Sequence, residues 1–297
     1  MRLAGAIDIG GTRTKIGIVA EDGRVVRRAT VSTGHRGDPL PLVDRIVSTL
    51  RPMLESEGKG ALGIGVSVAG FLDREHTAMI ANANLPALCG FPLRSTLEDR
   101  LALPCHLEVD SNAAVLGEYR YGSGTDASRL LGVTVGTGLG GGVIIDGVLL
   151  RYTGECAGDI GHIILDPKGR RCTCGARGCL EALVCSAALS ARAGGRSVRE
   201  IVAAAGRGRK PAVNALAETG RWLGLGLASL TPLFAPERIV IGGGVAAAGE
   251  LLLGPTVAAY REYVAPEFVD KVQLVGAALG GWEGMVGAAS LLFHPLR

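Results

Sequence analysis

Leu131-Gly-Val-Thr134-Val-Gly136-Thr137-Gly138-Leu-Gly140-Gly141-Gly142-Val-Ile-Ile-Asp146-Gly147 reads as a strand, a glycine-rich tip, a second strand and a closing Asp-Gly turn. The same pattern stands near the start of the chain. There residues 3–9 alternate as a short strand, residues 10–14 make a turn, and residues 15–19 form a second strand closed by Asp22-Gly23. Glycines at a hairpin tip let backbone N–H groups approach an anion without interference from Cβ. Thr12, Thr14 and Lys15 add hydroxyl and ammonium donors. Two copies about 125 residues apart predict two similarly folded α/β lobes, each offering an anion-cradling hairpin to a shared cleft. Gly136, Gly138 and Gly141 also spell the dinucleotide fingerprint, but that turn must lead into a helix and here Val143-Ile-Ile continues as strand. The Walker phosphate-loop sequence is absent.

A second informative stretch runs from Gly158 to Glu181 and carries His162, Cys172, Cys174 and Cys179 among glycines. Three thiolates and one imidazole make a closed tetrahedral donor set for zinc. Four protein ligands leave no position for water, so such an ion is structural and shapes a loop. The short Cys-x-Cys-Gly-x-x-Gly-Cys spacing disfavours a disulfide.

The remaining residues bound the class of protein. With 297 residues, 47% hydrophobic and 20% charged, the chain can bury two cores. Its net charge of +3 forms no long basic run, which argues against nucleic acid or an anionic membrane as partner. Asp8 interrupts the N-terminus before an apolar run develops, and no long apolar span follows, so neither a signal peptide nor a membrane helix is expected. Cys89, Cys105, Cys156 and Cys185 stand singly, which is cytoplasmic usage.

Leu42, Val43, Ile46, Val47, Leu50, Met53 and Leu54 fall on one helical face and predict a packing helix. Residues 62–68 read as a buried strand leading to Ala69-Gly70, and residues 81–86 as a polar loop. Leu107-Glu-Val-Asp110 ends a strand, and Ser111 starts a helix as an N-cap-like residue, which sets Asp110 at a strand-to-helix junction facing a cleft. Residues 181–205 and 211–230 predict two Ala/Leu-rich helices, and Gly242-Gly-Gly-Val245 a turn able to receive a nucleoside. The last apolar segment, residues 282–293, predicts a helix without an assigned role.

Asp8-Ile-Gly-Gly-Thr12, Gly136-Thr-Gly-Leu-Gly-Gly-Gly142, Gly161-His162, Cys172-Thr-Cys-Gly-Ala-Arg-Gly-Cys-Leu-Glu181 and Gly242-Gly-Gly-Val245 together resemble the ROK family of sugar kinases and sugar-responsive repressors, over essentially the whole chain. The resemblance implies an α/β, two-lobed actin/hexokinase-like (ribonuclease H-like) ATPase fold with a duplicated βββαβα core. Its lobes are expected at residues 1–110 plus 284–297 and at residues 111–283. It implies ATP and Mg²⁺ held by Asp8, Gly10, Gly11, Thr12, Arg13, Thr14 and Lys15 of the first hairpin and Thr134, Gly136, Thr137, Gly138 and Gly140 of the second, with Gly243 and Gly244 near the adenosine. The family's catalytic base falls on Asp110. Gly70, Asn84, Asp110, Asp159, His162 and Glu181 match sugar-site positions, and His162, Cys172, Cys174 and Cys179 match structural Zn²⁺ ligands. A zinc-bound histidine can still donate its other N–H to a sugar hydroxyl.

Three residues depart from the family's pattern: Val109 replaces an Asn, Asp159 a Glu and Ala69 a Pro. A lost amide and a shorter carboxylate leave hydroxyls of a glucose-shaped ligand unpaired, at about 1–3 kcal/mol each. The expectation is therefore ATP-dependent phosphorylation of a hexose or amino-sugar hydroxyl, glucokinase-like with an altered sugar pocket. The alternative is a non-catalytic sugar-sensing protein, against which stand the intact Asp8 hairpin and Asp110 and the lack of room before the first strand for a DNA-binding module. A small-molecule sugar is the expected partner, and a homo-oligomer, dimer or tetramer, follows from the resemblance. Zinc loss is expected to be felt at the sugar and little at the phosphate hairpins, which lie in separate segments.

Overall fold

The computed structural model describes residues 1–34, 37–57, 60–82, 85–151 and 159–295. The chain divides into two compact units. The first comprises Met1–Thr125, Val148–Ala157 and Trp282–Arg297, and the second Asp126–Gly147 and Gly158–Gly281.

In the first unit β1 (Leu3–Ile9), β2 (Arg13–Ala20) and β3 (Val25–Ser32) form an antiparallel meander. Helix α1 (Leu40–Ser56) follows and buries Leu42, Val43, Ile46, Val47 and Leu50, the face its spacing predicts. β4 (Ile64–Val68) then pairs with β1 in parallel. A two-stranded ribbon of β5 (Phe71–Leu72) and β6 (Met79–Ala81) and helix α2 (Leu93–Leu101) lead to β7 (Cys105–Val109), which pairs in parallel with β4. The sheet order is β3-β2-β1-β4-β7. β1 and β4 are buried along nearly their whole length, so the alternation expected of residues 3–9 gives way to a strand covered on both faces.

The expected first lobe ended at residue 110, whereas the first unit continues through α3 (Asp110–Tyr121). The reason is a glycine seam with the last helix of the chain. A Cβ on Gly287 would overlap the carbonyl oxygen of Ala113, and one on Gly117 would stand 2.5 Å from the carbonyl oxygen of Glu283. The two helices are thus in backbone contact.

The second unit repeats the plan. β8 (Arg129–Val135) and β9 (Leu139–Ile145) form an antiparallel hairpin, and β10 (Val148–Leu149), the edge strand of the same sheet, opens the Val148–Ala157 segment of the first unit. Helices α4 (Leu180–Val184), α5 (Ser186–Arg192), α6 (Val198–Gly206) and α7 (Lys210–Phe234) precede β11 (Arg238–Gly242). Helix α8 (Glu250–Tyr263) and β12 (Gln273–Gly276) complete it. The order β10-β9-β8-β11-β12 matches the first sheet strand for strand, with β8–β11 and β11–β12 parallel. The chain closes with α9 (Glu283–Phe293), which belongs to the first unit.

The span 181–205, expected as one helix, is three. Cys185 adopts an extended conformation between α4 and α5, and Gly194 and Gly195, both at positive φ, separate α5 from α6. The turn after β11 enters a short 3₁₀ segment, Ala246–Ala248, before α8 begins. No helix among the described residues is long and apolar enough to cross a membrane.

The seam yields a stability test. Gly→Ala in an exposed helix gains about 1 kcal/mol. At Gly287 overpacking, about 1–3 kcal/mol or more, must win because the obstacle is backbone. Gly287→Ala is expected to lower the midpoint of thermal or denaturant unfolding.

Candidate active site and metal-ligating cluster

The first hairpin tip is tighter than its sequence predicts. The Gly10 N–H donates to the Arg13 carbonyl (3.1 Å), so the turn closes within three residues and Arg13 and Thr14 already lie in β2. Thr12 and Arg13 are exposed at the tip. Thr14, expected to face the anion, is instead fully buried; its hydroxyl bonds that of Thr33 (3.0 Å), which donates to the Gly10 carbonyl (2.7 Å). Its role in the structure is to lock the turn.

Asp8 and Lys15 are direct cross-strand partners. Lys15 Nζ donates to Asp8 Oδ2 (3.0 Å), and Ser67 Oγ, from the neighbouring parallel strand, donates to Asp8 Oδ1 (2.9 Å). Asp8 is therefore held on both oxygens. Glu283 and Trp282, which sequence reasoning left without a role, complete this corner. Lys15 Nζ lies 6.0 Å from the Trp282 ring centroid, and the Arg28 guanidinium 5.1 Å from it. Burial raises the Glu283 carboxyl above the ordinary range, against the pull of Lys15, and its Oε2 is buried without a hydrogen-bond partner.

Asp110 opens α3 at the end of β7, with Val109 rather than a polar residue in the capping position, so the helix begins one residue earlier than Ser111 suggests. Asp110 Oδ1 accepts from the Ser111 N–H (2.8 Å). Burial, and then the negative charge of Asp8, push its carboxyl up to about 6. Two residues back, Glu108 is fully buried. It is paired with Arg151 and accepts from the Val109 N–H (3.0 Å) and Asn112 Nδ2 (3.1 Å). Sequence alone gave no signal for Glu108, because its partner Arg151 lies far along the chain. Gly70 has φ +114°, and a Cβ there would stand 2.7 Å from the Ala81 carbonyl, so its glycine is a backbone requirement. Asn84, expected at the sugar, lies outside the described residues.

In the second unit Thr134 and Gly140 are cross-strand partners beside the tip Gly136-Thr137-Gly138, whose Thr137 is exposed. The tip is anchored from below: the N–H and hydroxyl of Ser186 both donate to the Gly136 carbonyl (2.8 and 2.7 Å). Glu181 Oε2 accepts from the Leu139 N–H (2.9 Å), and a Cβ at Gly138 would stand 2.6 Å from that oxygen. Gly243, at φ +89°, lets the turn after β11 pass against Val135, while Gly244 faces open space.

His162, Cys172, Cys174 and Cys179 are brought together, with their ligand atoms within 4.8 Å of one another. Cys174 Sγ and Cys179 Sγ are 3.7 Å apart, and Cys172 Sγ and His162 Nδ1 3.6 Å. Tetrahedral zinc with the usual Zn–S and Zn–N bonds has edges of about 3.8 and about 3.6 Å, so the donor set fits in type and spacing. The thiols are free, and 3.7 Å is far from a disulfide bond. Gly178, at φ +77°, turns the loop where a side chain would overlap the Asp166 carbonyl. The other ring nitrogen, His162 Nε2, lies 3.3 Å from Asp159 Oδ2, and burial raises the Asp159 carboxyl against the pull of His162.

One expectation is revised here. The cluster and the second hairpin are not independent. Glu181 Oε1 accepts from Thr173 Oγ1 (3.1 Å) and lies 3.5 Å from Cys172 Sγ, while its Oε2 holds the hairpin at Leu139. A single carboxylate ties the cysteine loop to the glycine-rich tip.

A duplicated five-stranded sheet, with an acid-bearing hairpin in one unit and a neutral glycine-rich hairpin in the other, defines the actin/hexokinase-like class. The chain belongs to the ROK family, whose model matches residues 4–294. It is 32% identical to the glucokinase of Thermotoga maritima, covering 96% of each chain. It is also 32% identical to the N-acetylmannosamine kinase of Citrobacter koseri, covering 96% of this chain and 97% of that one. The crystal structure of a ROK family glucokinase from Streptomyces griseus with glucose and AMPPNP superposes with a TM-score of 0.86 at 34% identity, covering 97% and 98%.

The Glu181 link is testable. In Glu181→Ala the buried Leu139 N–H loses its acceptor, at about 1–3 kcal/mol, whereas Glu181→Gln keeps an amide oxygen for it and is expected to lose less. Denaturant unfolding of the two variants measures the difference.

Proposed function

We propose that this chain is an ATP-dependent sugar kinase in which Asp110 is the catalytic base. The observation that carries the assignment is Asp110 itself: a carboxyl at the end of a strand, opening a helix, with its pKa lifted to about 6 beside the Asp8–Lys15 pair. A base of that pKa is ionised at neutral pH yet basic enough to accept a hydroxyl proton. The family membership and the kinase activities of the relatives at Thermotoga and Citrobacter support the reaction class.

In this reading Asp110 takes the proton of the acceptor hydroxyl as that oxygen meets the γ-phosphoryl group of ATP. Lys15, oriented by Asp8, and the backbone N–H groups of the first tip stabilise the phosphoryl charge, and Gly136–Gly140 with Thr134 and Thr137 hold the remaining phosphates. Mg²⁺ bound with ATP supplies charge neutralisation, for which the Asp8 and Asp110 carboxylates are suitable hard donors. Gly243 and Gly244 receive the adenosine. The sugar is bound by Gly70, Asn84, Asp159, His162 and Glu181. Asp159 is a methylene shorter than the acid usual in the family, and this supports a hexose or amino sugar other than one that needs the longer reach.

His162 through Nδ1, with Cys172, Cys174 and Cys179, would hold a structural zinc ion, which supplies loop order and no open coordination position. Purified protein is expected to hold about one zinc per chain on this four-ligand reading. Cys174→Ser is expected to lose it. Because Glu181 joins the cysteine loop to Leu139, that variant is expected to raise KM for ATP as well as for sugar. A rise confined to the sugar would show that the link carries nothing.

Asp110→Asn tests the base. Turnover is expected to fall about 10²–10⁴-fold, measured by coupled ADP release over a panel of hexoses, N-acetylhexosamines and pentoses, which also identifies the acceptor. Activity of the parent is expected to fall as pH drops through about 6, where Asp110 gains its proton. Stability runs the other way. A carboxyl raised in the folded state binds its proton more tightly there than in the unfolded chain. The stabilisation is complete below about pH 4 and is lost as pH rises through about 6. The Asn variant is therefore expected to be the more stable protein at neutral pH, measured by denaturant unfolding. Full turnover in the variant would remove Asp110 from the chemistry, whereas no ADP release by the parent with any sugar of the panel would favour sugar sensing.

A further inference from the structure

The first unit contains a cavity of about 600 Å³ that the reaction does not use. Arg2, Arg74, Arg94 and Arg151 line it, together with His76 and His106. Glu75 is the one carboxylate in its wall. The floor is apolar, formed by leucines and prolines such as Leu62 and Pro104. Arg2 precedes β1 by one residue, and Asp8 lies six residues further along the strand, about 20 Å at 3.3 Å per residue. Arg2 and Leu62 set one end of the cavity at the start of β1 and β4, away from the first hairpin tip, and Leu107, in register with Val66 and Ile7, carries it to mid-sheet.

Three of the guanidinium groups are tied from behind. Arg2 pairs with Glu21 (2.5 Å), Arg94 with Glu98 (3.3 Å) and Arg151 with the buried Glu108. Each guanidinium has five N–H groups, and these pairs use only some of them. Arg74 has no carboxylate partner among the described residues. It is presented on a fixed turn: the Asp73 carboxylate accepts from the Thr77 N–H (2.6 Å) and from the Thr77 hydroxyl, and the Asp73 N–H donates to the Ala78 carbonyl (3.0 Å). His76, on the same turn, donates from Nδ1 to the Leu107 carbonyl (3.1 Å), which leaves Nε2 for a ligand. His106 registers the field of the cavity. Burial, and then the charges of Arg94 and Arg151, hold its pKa below the ordinary value, with Glu98 opposing them.

We propose that this cavity binds a small organic phosphate, a phosphate monoester whose dianion meets Arg74, Arg94 and Arg151 and whose carbon skeleton lies on the apolar floor. Convergent arginines favour phosphate over a point charge because the planar guanidinium matches its oxygens in pairs. The volume lies within the range of small-molecule sites. Occupancy reaches the start of α3 through one contact. Arg151 is the ion-pair partner of Glu108, which also accepts from the Val109 N–H and Asn112 on either side of Asp110. A ligand that draws Arg151 toward the cavity alters the support of a buried carboxylate next to the proposed base. The binding half of the proposal stands apart from the kinase reading; the coupling half rests on it.

Phosphate also fits a nucleotide site, so the test is run with a non-hydrolysable ATP analogue present at saturation. The probes are inorganic phosphate and glycerol 3-phosphate, at ionic strength held constant with sodium chloride. The imidazole signals of His106 are followed by NMR as pH is varied. Saturable binding of either probe is expected to move the His106 midpoint to higher pH, since an added dianion offsets Arg94 and Arg151. A stronger response to glycerol 3-phosphate assigns a role to the apolar floor. Arg74→Glu, an exposed position outside the reaction machinery, is expected to weaken binding at least about tenfold and to leave basal turnover unchanged. An equal response to chloride alone, no response in the parent, or an unchanged response in Arg74→Glu would overturn the site. With the site saturated, turnover of the parent is expected to change and that of Arg74→Glu to remain as it was; unchanged turnover in the parent would overturn the coupling to α3.

Discussion

The chemistry of the first unit depends on how closely one helix can lie against one strand end. Gly284, in the first turn of α9, has no Cβ; one placed there would sit 3.1 Å from both Asp8 Oδ1 and Ser67 Oγ. Gly65 makes the same allowance from the sheet, where a side chain would overlap the backbone of Ala288, and Gly287 and Gly117 make it toward α3. Each glycine within a helix costs about 1 kcal/mol relative to alanine, so the three helical ones cost about 3 kcal/mol together. Burial of Met285, Val286, Leu291 and Phe293 exceeds that, at about 1.5–3 kcal/mol for each large side chain. The seam brings Trp282 and Glu283, from the far end of the sequence, beside Lys15 and Asp8.

The internal repeat shows how one architecture supplies two kinds of anion contact. Asp8 pairs across its hairpin with Lys15 and, on the parallel side, with Ser67. Thr134 occupies the corresponding register, between Gly140 and Gly242. The Asp, Lys and Ser of the first unit are thus replaced by Thr, Gly and Gly in the second. A cation held by an acid offers a fixed point charge, whereas backbone amides and a hydroxyl offer a neutral set of donors. The neutral tip lacks internal salt bridges to fix it, and Ser186 and Glu181 support it from helices α4 and α5 instead.

What could be read in the sequence was local. Each hairpin, the α1 face and the Cys3His set fall within a few tens of residues, and their glycine and cysteine spacing carries the physics; the duplicated plan was legible because each hairpin is local and the two look alike. The hidden features depend on long-range contact. Thr14 turns inward because Thr33 waits for it, and Glu181 holds a hairpin more than forty residues away. Glu108 finds Arg151 from another segment. The three-way split of residues 181–205 was missed because alanine and leucine favour helix throughout, while the break at Cys185 lies beside Ser186, whose hydrogen bonds to Gly136 hold α5 in place. The boundary expected at residue 110 and the end of the first unit after α3 differ for the same reason: α3 packs against α9 through the glycine seam, and nothing near residue 110 announces that contact.

Val109 bears on the pocket differently than its sequence position suggests. As a substitution for an amide it reads as a lost hydroxyl partner. In the structure its side chain packs on the apolar core of the first unit, and its N–H is bound by Glu108. A fully buried carboxylate is costly unless every oxygen is satisfied. Here Arg151, the Val109 N–H and Asn112 satisfy it. Asn112 is therefore committed to Glu108, and the amide absent at position 109 is not replaced from that side. The junction is held on either side of Asp110. The backbone that carries Asp110 is thus fixed by a buried ion pair and an amide rather than by the side chain at position 109, which belongs to the core.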